Sequence, residues 1–226
     1  MALLGHAALA MWWDIAPALR TEFQDWHSHE HFQERLALPG FNRATRWASL
    51  EGEGFFVLYE LESHDVLASP GYLARLNAPT PWSVKLMPHH RNMVRSQCRV
   101  EESRGSGIGG VALTLRFTPR TGHEQALRGQ VQQWITALPP QAGVMGAHFL
   151  RTDPPAIATT NEQQLRGNAD TQAAWVLLVT GYRESDLQAL RQGLLSTESL
   201  QRAGAQEDVQ AGLFRLDASM LAADGI

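Results

Sequence analysis

The chain has 226 residues, of which 44% are hydrophobic and 19% charged, as is typical of a folded globular protein. Its formal net charge is −4 and its pI about 6.1, which argues against a general nucleic-acid or anionic-membrane binder. The single cysteine, Cys98, excludes a disulfide framework and favours a reducing, cytoplasmic location. No apolar run is long enough to cross a bilayer.

The first half of the chain predicts the element order β-α-β-β-α-β. Residues 7–13 are predicted as a strand rather than a signal peptide, because no basic segment precedes them and Asp14 follows at once. A helix is predicted over 18–37, ending before Pro39 and Gly40. The other predicted elements are strands 41–50 and 55–61 as a hairpin, a helical region 64–75, and a strand 93–102.

The same order is predicted to repeat after the glycine- and serine-rich stretch 103–110, which is expected to be a flexible linker. Residues 153–170 are long and polar, and they predict an insertion or a partly disordered loop. The predicted elements of the second half are strand 111–117, helix 123–138, strands 143–151 and 173–182, a helical region 185–203, and strand 210–217.

The linker also contains a G-x-G-x-x-G pattern at Gly105, Gly107 and Gly110. A dinucleotide site needs a helix directly after this pattern, so that backbone N–H groups point at phosphate. Because a strand is predicted there instead, the pattern does not indicate nucleotide binding.

Two tandem β-α-β-β-α-β units, residues 1–104 and 105–226, predict an α+β fold of the ferredoxin-like kind. Each unit alone would expose one sheet face, so the two antiparallel sheets are expected to pair into a barrel with helices outside and a cavity between the sheets. Such a barrel is closed as a monomer, and its edges leave a homodimer possible.

The helix predicted over 18–37 has an apolar face that becomes acidic at Glu30 and Glu34, with His27 at its edge. An inward carboxylate costs on the order of several kcal/mol unless it is paired. The face therefore indicates either a functional polar site or a structural ion pair with an arginine such as Arg43 or Arg46. The helical wheel places Leu19, Phe23, Trp26 and Ala37 on the core face and His29, Phe32 and Leu36 opposite.

Residues 27–31 also match H-x-x-E-H, the inverted zinc-protease signature. His27 and His31 could bind one ion with Glu30 beside it as a base. A third ligand is missing nearby, and Glu101 and Glu102 are candidates by sequence distance only. A metal or haem site at this helix is therefore an alternative, and the sequence predicts no cofactor.

The same helix resembles the first helix of EthD-like proteins, which belong to the dimeric α+β barrel superfamily. The stretches RATRW, FFVLYEL, SPGYLARLNAPTPW and RSQCRV are similar to one uncharacterised bacterial branch of that group. The resemblance covers residues 7–102, whereas the second half matches in element order only. The matching residues of the helix and the turn after it are Trp26, His27, Glu30, His31, Arg35, Leu36, Pro39, Gly40 and Phe41.

The resemblance implies that the first half carries the site and that the second half is its structural partner. It implies a barrel cavity that binds a small, often aromatic or polyketide-like molecule. Relatives include cofactor-free monooxygenases, isomerases, cyclases and dehydratases, and some haem-binding enzymes. A fold-level likeness does not choose among these activities.

The residues themselves suggest proton transfer on a carbonyl-activated aromatic ligand. His27 or His31 would act as the base, oriented by Glu30, and an arginine would stabilise the resulting enolate or phenolate. A non-catalytic binding module is the alternative, so whether the protein is an enzyme stays open. The candidate ligand-binding residues are Trp26, Arg43, Arg46, Trp47, Tyr59, Trp82, His89 and His90, with Trp47 and Tyr59 as an aromatic wall.

Overall fold

The computed structural model describes residues 3–167 and 170–222. The eight strands of this part of the chain close into one antiparallel barrel in the order β1-β3-β2-β8-β5-β7-β6-β4. Within the described residues, no helix is both long enough and apolar enough to cross a membrane.

The first half supplies four strands and the helices that cover them. A 3₁₀ turn at Pro17–Leu19 and a π turn at His27–His31 flank α1 and join it to α2. The elements are β1 (Ala7–Asp14), α1 (Arg20–Trp26), α2 (Phe32–Leu36), β2 (Phe41–Ser49), β3 (Gly54–Leu61), α3 (Pro70–Asn77), α4 (Pro81–Leu86) and β4 (Arg91–Gly105), with 3₁₀ turns at His64–Ala68 and Met87–His89.

The second half repeats this order with an additional short helix. The predicted helical region 185–203 is two helices, since Gly193 follows the end of the first one. The elements are β5 (Val111–Phe117), α5 (Glu124–Ala137), β6 (Val144–Thr152), α6 (Asn161–Leu165), β7 (Trp175–Gly181), α7 (Glu184–Gln192), α8 (Thr197–Ala203) and β8 (Gln210–Leu221).

The predicted fold is confirmed by the pairing of the strands. The first half forms β4-β1-β3-β2 and the second β8-β5-β7-β6, and the barrel closes through β2–β8 and β4–β6. The linker was predicted to begin too early, because Ser103, Arg104 and Gly105 extend β4 and pair with β6. Strand β5 begins at Val111, directly after the glycine pattern. The division into units 1–104 and 105–226 stays a prediction.

Aromatic side chains fill the middle of the barrel. Phe56 stacks on Trp12 at 4.9 Å and on Trp47 at 5.1 Å between ring centroids, and Phe214 packs against it from the other half. Small and branched side chains from the remaining strands complete this core. The expectation of a cavity between the two sheets was therefore wrong for the middle of the barrel, where three large rings leave no space for a ligand.

Two further cores lie outside the barrel, one under the helices of each half. Under α5, α7 and α8 the core is made of apolar side chains such as Leu127, Val131 and Ile135. Under α1 and α2 the apolar core surrounds buried polar groups, among them His27, His31 and Arg35. The two halves share a topology and differ in the chemistry of this layer.

The π turn at His27–His31 changes which side chains of the first helix face the sheet. It adds one residue to a helical turn and so rotates the following face by about 100° relative to an uninterrupted α-helix. Phe32 and Leu36 are buried and Ala37 is exposed, the reverse of the wheel prediction. Arg35 becomes an inward residue.

The segment 153–170 crosses to the first-half layer. Residues 153–160 form no helix or strand, and α6 follows them. The backbone N–H of Asn161 donates to Asn77 Oδ1 at 3.1 Å, and its side-chain amide donates to the Asn77 carbonyl at 2.7 Å. The predicted insertion is thus a strap from the second half over the helices of the first; residues 168 and 169 lie outside the described residues.

The packed barrel interior predicts a large cost for truncating its central rings. Trp47→Ala should lower the free energy of unfolding by about 3–5 kcal/mol, because it removes the ring that stacks on Phe56. Val84→Ala, at a position 45% exposed on α4, should change it by no more than about 0.5 kcal/mol. Urea unfolding of both variants measures this. A Trp47→Ala loss below about 1 kcal/mol would show that the barrel interior is loosely packed.

Candidate functional site

A small cavity lies between the first-half sheet and the helices that cover it. Its volume is about 30 Å³, which holds about two water molecules and is too small for an aromatic ring. Its walls are largely apolar and include three of the chain's six methionines, Met11, Met87 and Met93. Unbranched methionine side chains rearrange readily, so these walls can adapt to a larger occupant.

Polar groups from both halves of the chain line the same cavity. The π turn and α2 supply His27, His31 and Arg35, β3 supplies Tyr59, and His90 follows the 3₁₀ turn at Met87–His89. The remaining polar members are Tyr72 on α3, Arg95 on β4, and Glu162 and Arg166 on the strap.

Five buried polar atoms of cavity-lining residues have no hydrogen-bond partner among the described residues. Buried polar groups are nearly always hydrogen-bonded, and leaving one unpaired costs about 1–3 kcal/mol. Their concentration around one small space indicates that the space takes a polar occupant. The atoms are Trp13 Nε1, His31 Nδ1, Arg35 Nη1, Tyr59 Oη and His90 Nε2.

The tautomer of His27 follows from the hydrogen bond that holds its ring. Arg46 Nη1 lies 3.1 Å from His27 Nδ1, and a guanidinium can only donate. Nδ1 must therefore accept, and neutral His27 carries its proton on Nε2. Arg46 is itself fixed by Asp217, whose Oδ2 accepts from Nε at 2.6 Å.

The tautomer of His90 is the opposite one. Its Nδ1 lies 3.1 Å from the carbonyl oxygen of Met87, which can only accept, so Nδ1 carries the proton. Nε2 then holds the free lone pair, and it is buried although one edge of the residue reaches solvent. His90 therefore presents a hydrogen-bond acceptor to the cavity.

All three histidines of the cavity are held in the neutral form. Burial, and then the positive charge of nearby arginines, lowers the pKa of His27 and of His31 well below the ordinary value. Burial, and then the charge of Arg166, lowers the pKa of His90 to about 3. Burial raises the pKa of the Tyr59 hydroxyl, so that group also stays neutral.

The arginines give the cavity a positive character. Arg35 is 2% exposed and forms a salt bridge with Glu162, which is 4% exposed. Arg166 is paired with Asp170 at 2.6 Å, and Arg95 donates to the Tyr72 hydroxyl at 3.0 Å. These three guanidinium groups are matched by two carboxylates, Glu162 and Asp170, so one positive charge is left over and an added anion is favoured there.

The structure brings together five of the predicted site residues: Trp26, His27, His31, Tyr59 and His90 all line the cavity. The first helix accounts for three of them, and the fourth and fifth come from β3 and from the proline-rich stretch before β4. Their roles stay predictions.

Glu30 does not orient the histidines as expected. Its Oε1 accepts from Trp26 Nε1 at 3.1 Å and from Thr80 Oγ1 at 2.5 Å, so it holds α1 to the start of α4. Glu34 accepts from Arg75 Nη2 at 2.6 Å, and not from Arg43 or Arg46. The π turn is the reason, because it moves both carboxylates to the side of the helix.

Arg43 and Arg46 are not cavity-lining residues. Arg43 donates to Glu60 from Nε at 2.7 Å and from Nη2 at 2.8 Å. Arg46 contacts His27 from behind while it pairs with Asp217. Both are engaged by carboxylates that the sequence did not connect to them, and their predicted role in ligand binding stays a prediction.

The other three candidates also lie elsewhere. Trp47 packs inside the barrel, on the opposite face of the sheet from Tyr59, so the two do not form one aromatic wall. Trp82 donates to Glu22 Oε1 at 3.2 Å on the outside of the layer. His89 is exposed, whereas its neighbour His90 turns inward.

Sequence reasoning missed the charged part of the cavity. Arg35 belonged to the stretch that resembles EthD-like proteins, and this was the available signal for it. Glu162 and Arg166 had none, because they lie in a polar segment of the half that was expected to be only structural. That expectation was wrong, since the strap completes the cavity.

The residues present do not fit a metal-ion centre. Among the described residues, no group of three His, Cys, Asp or Glu side chains is placed to hold an ion. Glu101 is bound by Arg128 and Arg151 instead. The rings of His27 and His31 are stacked 5.4 Å apart, so their in-plane lone pairs run side by side, and the positive charge of Arg35 disfavours a cation.

The sequence matches no family model, and no curated protein sequence matches it. Solved structures do match. An anthrone oxidase-like protein superposes with a TM-score of 0.62 at 13% identity, over 99% of this chain and 96% of its own. A candidate monooxygenase from Fusobacterium nucleatum superposes with a TM-score of 0.63 at 6% sequence identity, and the match covers 97% of this chain and 96% of that protein. A monooxygenase-like protein from Listeria innocua superposes with a TM-score of 0.50 at 10% sequence identity, and the match covers 94% of this chain and 95% of that protein.

The protein has the dimeric α+β barrel fold. The predicted barrel architecture is thereby confirmed, with both halves of the barrel on one chain. At these identities the likeness establishes the fold alone.

The buried neutral His90 of this α+β barrel predicts acid sensitivity. Its pKa is lowered in the folded state, so the unfolded chain binds more protons, and stability is complete above about pH 6.5 and lost as the pH falls toward about 3. His90→Asn should reduce the slope of unfolding free energy against pH by up to about 1.4 kcal/mol per pH unit. Urea unfolding at pH 7, 6 and 5 measures the slope.

His29→Asn is the matched control for this measurement, because His29 lies exposed on the same layer. It should leave the slope unchanged. Equal slopes for the wild type and His90→Asn would mean that His90 takes up a proton in the folded protein as readily as in the unfolded chain.

Proposed function

We propose that the protein binds a small hydroxylated aromatic molecule in the cavity of the first half and withdraws the proton of its hydroxyl group. The observation that carries this is the set of unpartnered buried polar atoms in an otherwise apolar, aromatic-walled space. Such a lining fits a planar apolar body with a few polar substituents.

His90 is the proton acceptor in this proposal. The Met87 carbonyl fixes its tautomer, so its Nε2 lone pair is available to a hydroxyl group. The oxygen–hydrogen bond of the ligand breaks, the proton joins Nε2, and an aryloxide or enolate remains beside an imidazolium. The two opposite charges then stabilise each other in a site shielded from water.

The arginines supply the second requirement, which is stabilisation of the anion. Arg35, Arg95 and Arg166 all line the cavity, and their charge favours an ionised ligand over a neutral one. Burial, and then this charge, keeps the histidines unprotonated until a ligand anion is present. Formation of an electron-rich aryloxide or enolate is a first step that oxygenation, cyclisation, dehydration and isomerisation can share.

Binding of an aromatic ring requires the cavity to enlarge. The strap and the three methionines are the adaptable part of its wall, whereas the sheet and the π turn are fixed by the barrel and by Arg46. We place the movement in the strap beyond Asp153, which a backbone hydrogen bond to Gln97 holds to β4, because residues 154–160 belong to no helix or strand. We also propose that the protein is cytoplasmic and is able to form a homodimer.

A spectroscopic titration tests the proposal with 2-naphthol, whose neutral and ionised forms absorb differently. The wild-type protein should bind it in the ionised form at pH 7, because His90 takes up the proton and the neighbouring positive charges stabilise the anion. His90→Asn should bind it and leave it protonated at pH 7, because asparagine can replace a hydrogen bond but cannot take up the proton.

His89→Asn is the control, since His89 is exposed next to His90 and its replacement should change nothing. If the wild type binds 2-naphthol without ionising it, the protein is a binding module rather than an acid–base catalyst. If it does not bind at all, the aromatic ligand is wrong.

A further inference from the structure

Glu162 is an unusual residue for its position. It lies on α6, in a segment that is otherwise mostly exposed, yet it is almost completely buried against Arg35. Asn161 adds hydrogen bonds to the first half at the surface, and Leu165 packs against its apolar core. The strap therefore places two charged side chains, Glu162 and Arg166, against the cavity, and Glu162 is the one that contacts Arg35.

The ion pair between Arg35 and Glu162 is not an efficient way to stabilise the contact between the strap and the first half. Burying two charges has a large desolvation cost, and well-packed apolar residues often stabilise as much or more. The layer beneath the strap is rich in apolar side chains that such residues could contact. A buried carboxylate at this place therefore points to a role other than stability.

The guanidinium of Arg35 is only half used by Glu162. Its Nη2 donates to Glu162 Oε1, whereas its Nη1 is buried with no partner among the described residues. A carboxylate that approaches from within the cavity could accept from both nitrogens at once, which is the strongest arrangement for this pair of groups. Glu162, held by α6, does not reach that arrangement.

We propose that Glu162 occupies the place of a carboxylate on the ligand, so that the site takes an aromatic acid that exchanges with Glu162 on Arg35. The inference rests on the proposed function, which supplies the aromatic body and the hydroxyl group facing His90. Glu162 leaves together with α6, and the movement that frees Arg35 also makes the space that the ring needs. The ligand class is thus an aromatic hydroxy acid.

The test compares two probes that differ by one carboxylate, 3-hydroxy-2-naphthoate and 2-naphthol. Glu162→Gln removes the competing charge with little change of shape. It should tighten hydroxynaphthoate at least about tenfold, because the apparent affinity no longer includes displacement of Glu162, and 2-naphthol by less than about threefold. Glu22→Gln is the control, because Glu22 pairs with Lys85 outside the cavity, and should alter neither.

Hydrogen exchange on the wild type gives a second readout that does not depend on the folding of a variant. The amide of Asn161 donates to Asn77 Oδ1 across the contact between α6 and the first half. Saturating hydroxynaphthoate should raise its exchange rate as α6 leaves together with Glu162. Increased protection would overturn the exchange of carboxylates.

The outcomes separate this inference from the proposed function. The carboxylate exchange alone is overturned by either of two results. In the first, Glu162→Gln raises the affinity for both probes equally. In the second, it does not raise the affinity for hydroxynaphthoate although the wild type binds 2-naphthol. Wild type and Glu162→Gln that bind neither probe overturn both. A selective gain for hydroxynaphthoate supports the exchange.

Discussion

The π turn at His27–His31 is the feature on which the rest of the site depends. One additional residue in the turn rotates α2 so that Phe32 and Arg35 face the sheet while Glu30 and Glu34 move to the side. An uninterrupted α-helix would have placed two carboxylates over the core and a guanidinium outside. The sign of the charge in the cavity, and with it the kind of ligand that the cavity favours, is therefore decided by a local change of helical geometry, which is common at functional sites.

The filled barrel explains why the site lies in the outer layer. Trp12, Trp47 and Phe56 occupy the middle of the barrel as one stack, whereas the cavity with the unpartnered polar atoms lies where helices cover the first-half sheet. In the second half that layer is closed by apolar packing. In the first half the same topology encloses buried polar groups. Those that lack a hydrogen-bond partner lie around the small cavity, where the layer is not closely packed.

The elements were more predictable than the site, for identifiable reasons. Strand 111–117 was predicted with its observed bounds because its apolar run is bordered by glycine and by a turn. Alternation correctly grouped Thr45 with Trp47, and Val57 with Tyr59, on common faces. It could not tell which face met the helices, because both faces of a closed barrel are buried. The helical wheel failed at residues 32–37, because it assumes an uninterrupted α-helix and the π turn shifts the phase of the apolar pattern by one residue.

The contribution of the second half was the least predictable part, since it depends on contacts between positions more than a hundred residues apart, such as Arg35 and Glu162. When two equivalent units are joined in one chain, each can have its own sequence, so the helix-covered layers of the two units can differ. One unit can then keep an apolar layer as a stable support, while its long connection between β6 and β7 is free to cross over and complete the other unit's cavity. A barrel made of two identical chains would have to place such a strap, and such a cavity, on both sides. The asymmetry seen here is therefore a consequence of the tandem arrangement, and it lets a connection of one unit supply Glu162 and Arg166 to the cavity of the other.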